Sequence, residues 1–175
     1  PPKGRVGALI VSPTRELAAQ IGVEAAALAT FHGWTVQVVV GGTNVKTDVN
    51  RLRDRPPAIL VATPGRMNDL LSNFDMRPAL SALRVLVFDE ADRLLDMGFR
   101  PAIDALLKAL PPKDTRQAML FSATYPRDIA SLAAYALRPG AEMVDTVGEA
   151  EAQTAARVEQ TYLVTPMEGA APALA

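Results

Sequence analysis

Short, mostly apolar runs alternate along this chain with longer segments of helical periodicity. Each run has three to five residues, which is typical of strands buried on both faces. The alternation predicts an α/β fold with an open parallel sheet and helices on both faces. The predicted strands are Ala8–Val11, Val36–Val40, Ile59–Val61, Val85–Phe88 and Ala118–Phe121, and the predicted helices are 15–28, 45–53, 65–71, 102–110 and 127–137.

The end of the chain is less regular. Val158 to Val164 is a candidate last strand. From Thr165 onward, a glycine, a proline and several alanines are typical of a linker. We therefore expect one partial domain over residues 1–164 and the start of a linker over 165–175. Because the chain opens on Pro1 without an initiator methionine, we also expect it to be a piece of a longer polypeptide.

Composition narrows the class of protein. The chain has 175 residues, of which 49% are hydrophobic and 21% are charged, as in ordinary globular domains. The net charge of −1 excludes a general positive field, so any nucleic-acid site must be local. The absence of cysteine excludes disulfides and zinc-thiolate sites, and His32 has no second histidine for a metal pair. No apolar run reaches the length of a membrane span, and we expect a soluble intracellular protein.

Acidic residues directly follow the fourth predicted strand. Val85–Phe88 runs into Asp89 and Glu90, with Asp92 two residues further on. In open α/β sheets, ligands bind at this carboxyl edge. One carboxylate there can hold Mg²⁺ through retained water, and its neighbour can polarise an attacking water. The alternative is a helix N-terminus decorated with acids, which the helix dipole favours. The buried strand that precedes the acids favours the nucleotide site.

Five segments, taken together and in order, resemble motifs of the DEAD-box ATP-dependent RNA helicases. Any one of these tripeptides or doublets is weak evidence, but five in order within Gly7 to Pro126 are strong. The resemblance implies the first RecA-like domain of such an enzyme. The segments are Pro13-Thr14-Arg15-Glu16-Leu17-Ala18 (motif Ia), Gly41-Gly42 (glycine doublet), Thr63-Pro64-Gly65-Arg66 (motif Ib), Asp89-Glu90-Ala91-Asp92 (motif II) and Ser122-Ala123-Thr124 (motif III).

The resemblance assigns roles to motifs II and III. Asp89 would hold Mg²⁺ through water beside ATP, and Glu90 would orient or activate the hydrolytic water. Asp92 would join Ser122 and Thr124 in a polar network that couples the nucleotide to RNA. From the residues alone, the two hydroxyl side chains are equally well explained as caps of the following helix.

The other three motifs would face the RNA backbone. Helix N-termini offer free amide groups that favour phosphate, and glycine lets a backbone approach closely. Such contacts position RNA without reading its sequence. Each segment alone is also explained as an ordinary strand-to-helix turn. The residues predicted to contact RNA are Pro13, Thr14, Arg15, Gly41, Gly42, Thr63, Pro64, Gly65 and Arg66.

The phosphate-binding loop G-x-x-x-x-G-K-[S/T] does not occur in these 175 residues. Lys46 is the only lysine followed by a hydroxyl residue, and Val45 stands where the second glycine is needed. The family's adenine-reading Q motif, second RecA-like domain and arginine finger are also missing. By resemblance, the strand that feeds the loop lies beside the strand ending at Ser122, and we expect it upstream of Pro1.

The resemblance implies part of an ATP-dependent RNA helicase that couples ATP hydrolysis to remodelling of RNA duplexes or RNA–protein complexes. We expect the chain alone to be inactive. One alternative is a catalytically dead RNA-binding or assembly module, which a phosphate-binding loop upstream would exclude. Another is a DNA-acting helicase, against which the Asp-Glu-Ala-Asp sequence argues by resemblance. The segments Pro56–Arg66 and Asp145–Val147 are similar to fungal mitochondrial splicing helicases. Mitochondrion and nucleus are both candidate compartments.

Overall fold

The computed structural model describes residues 4–125, 127–146 and 164. Five parallel strands form one sheet: β1 (Ala8–Val11), β2 (Val36–Val39), β3 (Ile59–Ala62), β4 (Val85–Phe88) and β5 (Gln117–Leu120). The helices are α1 (Arg15–Ala29), α2 (Val45–Asp54), α3 (Pro64–Asn73), α4 (Arg77–Leu80), α5 (Ala91–Asp96), α6 (Arg100–Ala109) and α7 (Arg127–Ala136), with 3-10 turns at Thr30–His32 and Lys113–Thr115.

The five predicted strands and five predicted helices are confirmed, each end lying within two residues of its predicted position. The pattern missed α4 and α5, because helices of four and six residues are too short to establish a period. The candidate strand Val158–Val164 lies outside the described residues except for Val164, which is in neither a helix nor a strand. The chain divides into two units, residues 1–141 and 142–175, and every helix and strand named above belongs to the first.

The strands run in the order β2-β3-β1-β4-β5, so β1 is central. The connection from β1 to β2 crosses the sheet toward the β2 side, whereas the connections from β2 to β3, β3 to β4 and β4 to β5 all run in the opposite direction. Right-handed crossovers therefore place α1 on one face and α2, α3 and α6 on the other. In agreement, α1 packs on β2 and β3, and α3 packs on α6. The core between these layers includes the fully buried side chains of Leu9, Leu60, Met67, Leu86, Phe88 and Ile103.

The register of the strands brings all five carboxyl ends to one level. Val11 lies opposite both Ala62 and Phe88, and Phe88 lies opposite Leu120. The ladder continues one residue further, since the Asp89 amide donates to the Val11 carbonyl (3.0 Å). The residues that follow each strand therefore share one edge of the sheet, and these are the residues of the predicted motifs. At the side of the sheet, β5 has β4 as its one partner among the described residues.

A close approach of α1 to β2 makes Gly22 a test of this packing. A β-carbon at Gly22 would collide with a methyl group of Val38, whose β-branched side chain is stiff. We expect Gly22→Ala to lower the free energy of unfolding, because overpacking costs about 1–3 kcal/mol and outweighs the roughly 1 kcal/mol gain in helix propensity. Urea-induced unfolding measures the difference.

Gly65→Ala is the matched control for Gly22→Ala. Gly65 is also helical, but no atom lies within 4 Å of the position of its added β-carbon. This variant should keep or raise stability, and Val38→Ala should partly rescue Gly22→Ala by removing the colliding methyl group. Equal effects of the two glycine substitutions would contradict the described α1–β2 contact.

Candidate nucleotide and RNA site

The turn from β4 into α5 holds the first two acids of motif II. Asp89 is half-buried, and its Oδ1 accepts the amide of Glu90 at 3.0 Å. Glu90 has the left-handed backbone conformation (φ 48°, ψ 55°), which costs a non-glycine residue about 1–3 kcal/mol and is concentrated at functional sites. The Ala91 amide donates to the Phe121 carbonyl (2.9 Å) and ties this turn to the end of β5.

The carboxylate of Glu90 has one ion-pair partner among the described residues. Arg93 Nη1 lies 3.1 Å from Glu90 Oε2, one turn along the same helix. Both side chains are exposed to solvent, at 56% for Arg93 and 40% for Glu90. Exposed pairs of this kind contribute about 0–1 kcal/mol. Glu90 can therefore leave Arg93 at little cost and accept a hydrogen bond from a water molecule instead.

Asp92 joins motif II to motif III across thirty residues of sequence. Its Oδ2 accepts hydrogen bonds from the Thr124 amide (3.2 Å) and from Thr124 Oγ1 (3.0 Å). The Asp92 amide donates to Ser122 Oγ at 3.3 Å. Both hydroxyl side chains of motif III thus contact Asp92. Partial burial raises the pKa of Asp92, but hydrogen bonds from the Arg93 amide, Thr124 and Ser122 outweigh it, so the pKa is lowered and the carboxylate is ionised at neutral pH.

The donor set of motif II fits Mg²⁺ held through water better than Mg²⁺ held by protein ligands alone. Asp89 Oδ2 has no hydrogen-bond partner among the described residues and is a hard oxygen ligand. The described residues contain no cluster of three or more His, Cys, Asp or Glu side chains suited to a metal. Mg²⁺ usually takes one or two carboxylates, keeps several waters and binds nucleotide phosphates. The 175 residues do not provide the loop that cradles those phosphates.

Motif Ia and the glycine doublet meet at the opposite half of the same sheet edge. Thr14 caps α1, with Oγ1 accepting the Leu17 amide at 3.2 Å, and Arg15 is exposed at the first helical position. Gly42 has φ +82°, and a side chain there would collide with the guanidinium group of Arg15. The backbone conformation therefore favours glycine at 42, whereas the exposed Arg15 side chain could move aside.

Motif Ib follows β3 and opens α3. Thr63 and Pro64 are buried at the turn, whereas Gly65 is exposed with open space around it. Unlike Thr14, Thr63 makes no capping hydrogen bond through its side chain. The side chain of Arg66 is 6% exposed and forms an ion pair with Asp48, with 2.5 Å between Nη1 and Oδ2. Its Nη2 donates to the Thr43 carbonyl at 2.7 Å.

Asp48 and Thr43 are polar residues that the motifs did not identify. Thr43 Oγ1 lies 2.9 Å from the Val40 carbonyl and 3.3 Å from Asp48 Oδ2. A sequence signal for Asp48 exists, because it interrupts the helical stripe that Val45, Val49 and Leu52 form on α2. An acid within such a stripe is buried and needs a partner. The pattern could not indicate that the partner is Arg66, eighteen residues away.

The structure thus divides the predicted residues into two groups at one edge. At the ends of β4 and β5, Asp92, Ser122 and Thr124 are in contact, beside Asp89 and Glu90. At the ends of β1, β2 and β3, Arg15 lies against Gly42. Arg66 donates a hydrogen bond to the carbonyl of Thr43, the residue after Gly42. The edge thus carries carboxylates in one half, and helix N-termini with an exposed arginine in the other.

The fold and this edge define an open parallel α/β domain with a polar carboxyl edge, and comparison with known proteins gives its family. The model of the DEAD/DEAH box helicase family matches residues 2–132. The chain belongs to this family. The predicted resemblance to DEAD-box helicases is therefore confirmed.

Individual relatives agree with the family. The chain is 46% identical over 164 residues to DEAD-box ATP-dependent RNA helicase 48 of Oryza sativa subsp. japonica, covering 91% of the chain and 20% of the relative. It is 41% identical over 167 residues to helicase 26 of the same organism, covering 93% and 30%. A match of 40% over 172 residues to the mitochondrial ATP-dependent RNA helicase MSS116 of Phaeosphaeria nodorum covers 97% and 31%.

The predicted similarity to fungal mitochondrial helicases is thus confirmed, at about the level of similarity to the plant proteins. The chain spans about a fifth to a third of the length of these curated relatives. None of the helices in the described part of the chain combines the length and the apolar character needed to cross a bilayer.

Proposed function

We propose that the chain is the larger part of the first RecA-like domain of an ATP-dependent RNA helicase. Residues 1–164 would belong to this domain, and 165–175 would lead toward a second RecA-like domain. The observation that carries the proposal is the shared sheet edge, on which Asp92 links motif II to motif III beside the phosphate-directed motifs. RNA-stimulated ATP hydrolysis by the full-length protein tests it, and an RNA-independent rate would contradict it.

RNA would lie along the ends of β1, β2 and β3. The first turns of α1 and α3 are exposed at Arg15 and Gly65, where backbone amides can face this surface, and Arg15 supplies a cation next to Gly42. Pro13, Thr14, Gly41, Thr63, Pro64 and Gly65 complete the proposed surface, and the buried Arg66 supports it from within. These groups address phosphate and sugar, so the helicase would act on RNA without sequence preference.

ATP and Mg²⁺ would bind at the ends of β4 and β5. ATP supplies the phosphoanhydride whose hydrolysis releases the free energy, and Mg²⁺ neutralises charge on its phosphates. Asp89 would orient the hydrated ion, and Glu90 would position the attacking water and accept a hydrogen bond from it. Asp92 would hold Ser122 and Thr124 and so couple this half of the edge to the RNA half. Completion of the nucleotide site requires a phosphate-binding loop from outside these 175 residues.

An RNA-remodelling enzyme works inside the cell, and the similarity to a relative named as mitochondrial makes the mitochondrion one candidate beside the nucleus.

Arg15 gives a quantitative test of the RNA surface. In the full-length protein, Arg15→Ala should weaken binding about equally for RNAs of different sequence. It should also reduce the slope of log K against log salt by roughly one unit, because one phosphate contact is lost. Fluorescence anisotropy at several salt concentrations measures both quantities. Arg77→Ala is the control, since Arg77 is also exposed but opens α4, ahead of β4 and away from the carboxyl edge. A changed sequence preference with an unchanged slope would contradict the role of Arg15.

A further inference from the structure

We infer that Asp48 is a positioning residue for RNA, which fixes the loop from Gly41 to Thr43 and the guanidinium of Arg66 as one unit. The inference rests on the proposed RNA-binding function and deepens it. No predicted motif contains Asp48, and its side chain does not reach the exposed edge. It would act through the residues that it holds.

The first step is the hydrogen-bonding geometry around one carboxylate oxygen. Asp48 Oδ2 accepts Arg66 Nη1 at 2.5 Å and lies 3.3 Å from Thr43 Oγ1. The other end of the Arg66 fork donates to the Thr43 carbonyl at 2.7 Å. The Thr43 hydroxyl has a single proton, which it donates either to Asp48 or to the Val40 carbonyl at 2.9 Å. Asp48 and Arg66 therefore hold the loop at its last residue, Thr43.

The second step concerns burial. The side chains of Arg66 and Asp48 are 6% and 9% exposed. Two charges so placed are tolerated because each compensates the other, and removal of one leaves the other buried and unpaired. Asp48 also neutralises Arg66, which consequently does not offer a free positive charge to RNA in this arrangement. Its fork joins the end of β2 to the start of α3 instead.

The third step connects the unit to the surface. Gly42 directly precedes the anchored Thr43 and takes its left-handed conformation there, against the guanidinium of Arg15. A shift of the loop would move the surface on which Arg15 rests. Misplacement of a binding group by about 1 Å can reduce function severely. The buried ion pair would therefore support RNA binding by keeping the loop in place.

The test uses Asp48→Asn in the full-length protein, which keeps the shape of the side chain and removes its charge. We expect the Kd for single-stranded RNA, and the RNA concentration for half-maximal ATPase, to rise about tenfold. The kcat at saturating RNA should stay unchanged. Amide hydrogen exchange at Gly42 and Thr43, measured without RNA, should become faster.

Val49→Ala is the matched control. Val49 is the next residue on α2 and is 4% exposed, but its side chain forms no hydrogen bond to the loop or to the guanidinium of Arg66. It should lower the melting temperature through a cavity while leaving the RNA affinity and the exchange of the loop as in the wild type. If Asp48→Asn does not fold, Thr43→Val tests the same anchor from an exposed position and should raise the Kd in the same direction.

The outcomes are separable. Equal losses of RNA affinity in Asp48→Asn and Val49→Ala would mean that Asp48 affects RNA binding only through the stability of the domain. That result would overturn the inference. Tighter RNA binding with a steeper salt dependence in Asp48→Asn would also overturn it, since Asp48 would then be restraining a direct phosphate ligand. If the wild-type protein binds no RNA, the proposed function fails, whereas the exchange of the Gly42 and Thr43 amides still decides whether Asp48 fixes the loop.

Discussion

Replacing Glu90 by glutamine should slow ATP hydrolysis by the full-length helicase by about 10²–10⁴-fold while ATP and RNA binding persist. Glutamine keeps the shape of the side chain but loses the carboxylate charge that polarises water. The strained left-handed backbone at Glu90 is also available to glutamine at the same cost, so the turn from β4 into α5 should remain in place. The loss should therefore fall on kcat with little change in KM, as for an interaction made in the transition state.

Single-turnover hydrolysis with saturating RNA measures this effect. Asp96→Asn is the control, because Asp96 is an exposed acid at the end of the same short helix. It should hydrolyse ATP like the wild type. If Glu90→Gln hydrolyses ATP at the wild-type rate, Glu90 is not the residue that positions the water, and the left-handed conformation at that position needs another explanation.

The 175-residue chain by itself should hydrolyse no ATP and bind nucleotide only weakly. Asp89 can orient a hydrated metal ion, but these residues include no G-x-x-x-x-G-K-[S/T] loop to wrap the β- and γ-phosphates. Without that cradle the charge on the phosphates stays exposed to water, and most of the binding free energy is lost. Isothermal calorimetry with ATP and Mg²⁺ is the direct measurement, with the full-length protein as the positive control. Tight binding by the isolated chain would mean that another part of it holds the phosphates.

Much of the fold follows from local sequence. A run such as Val85–Phe88, apolar at every position and closed by acids, is too short for a buried helix and fits a strand covered on both faces. Because parallel strands align their carboxyl ends, the residues after each run were predictable as one functional edge. That reasoning placed Asp89, Thr14 and Gly65 correctly at strand ends without any knowledge of the strand order.

The contacts that make the edge work depend on the order and register of the strands. Asp92 meets Thr124 because β5 lies next to β4, and Arg66 turns inward because α2 carries Asp48 beside the start of α3. Periodicity records whether a side chain is buried, but it does not record which distant side chain is buried with it. The sequence by itself therefore determined the elements, the family motifs and the edge that bears them. Only the tertiary structure decided the partners, since each pairing joins residues whose separation along the chain is set by loops and helices that carry no information about the contact.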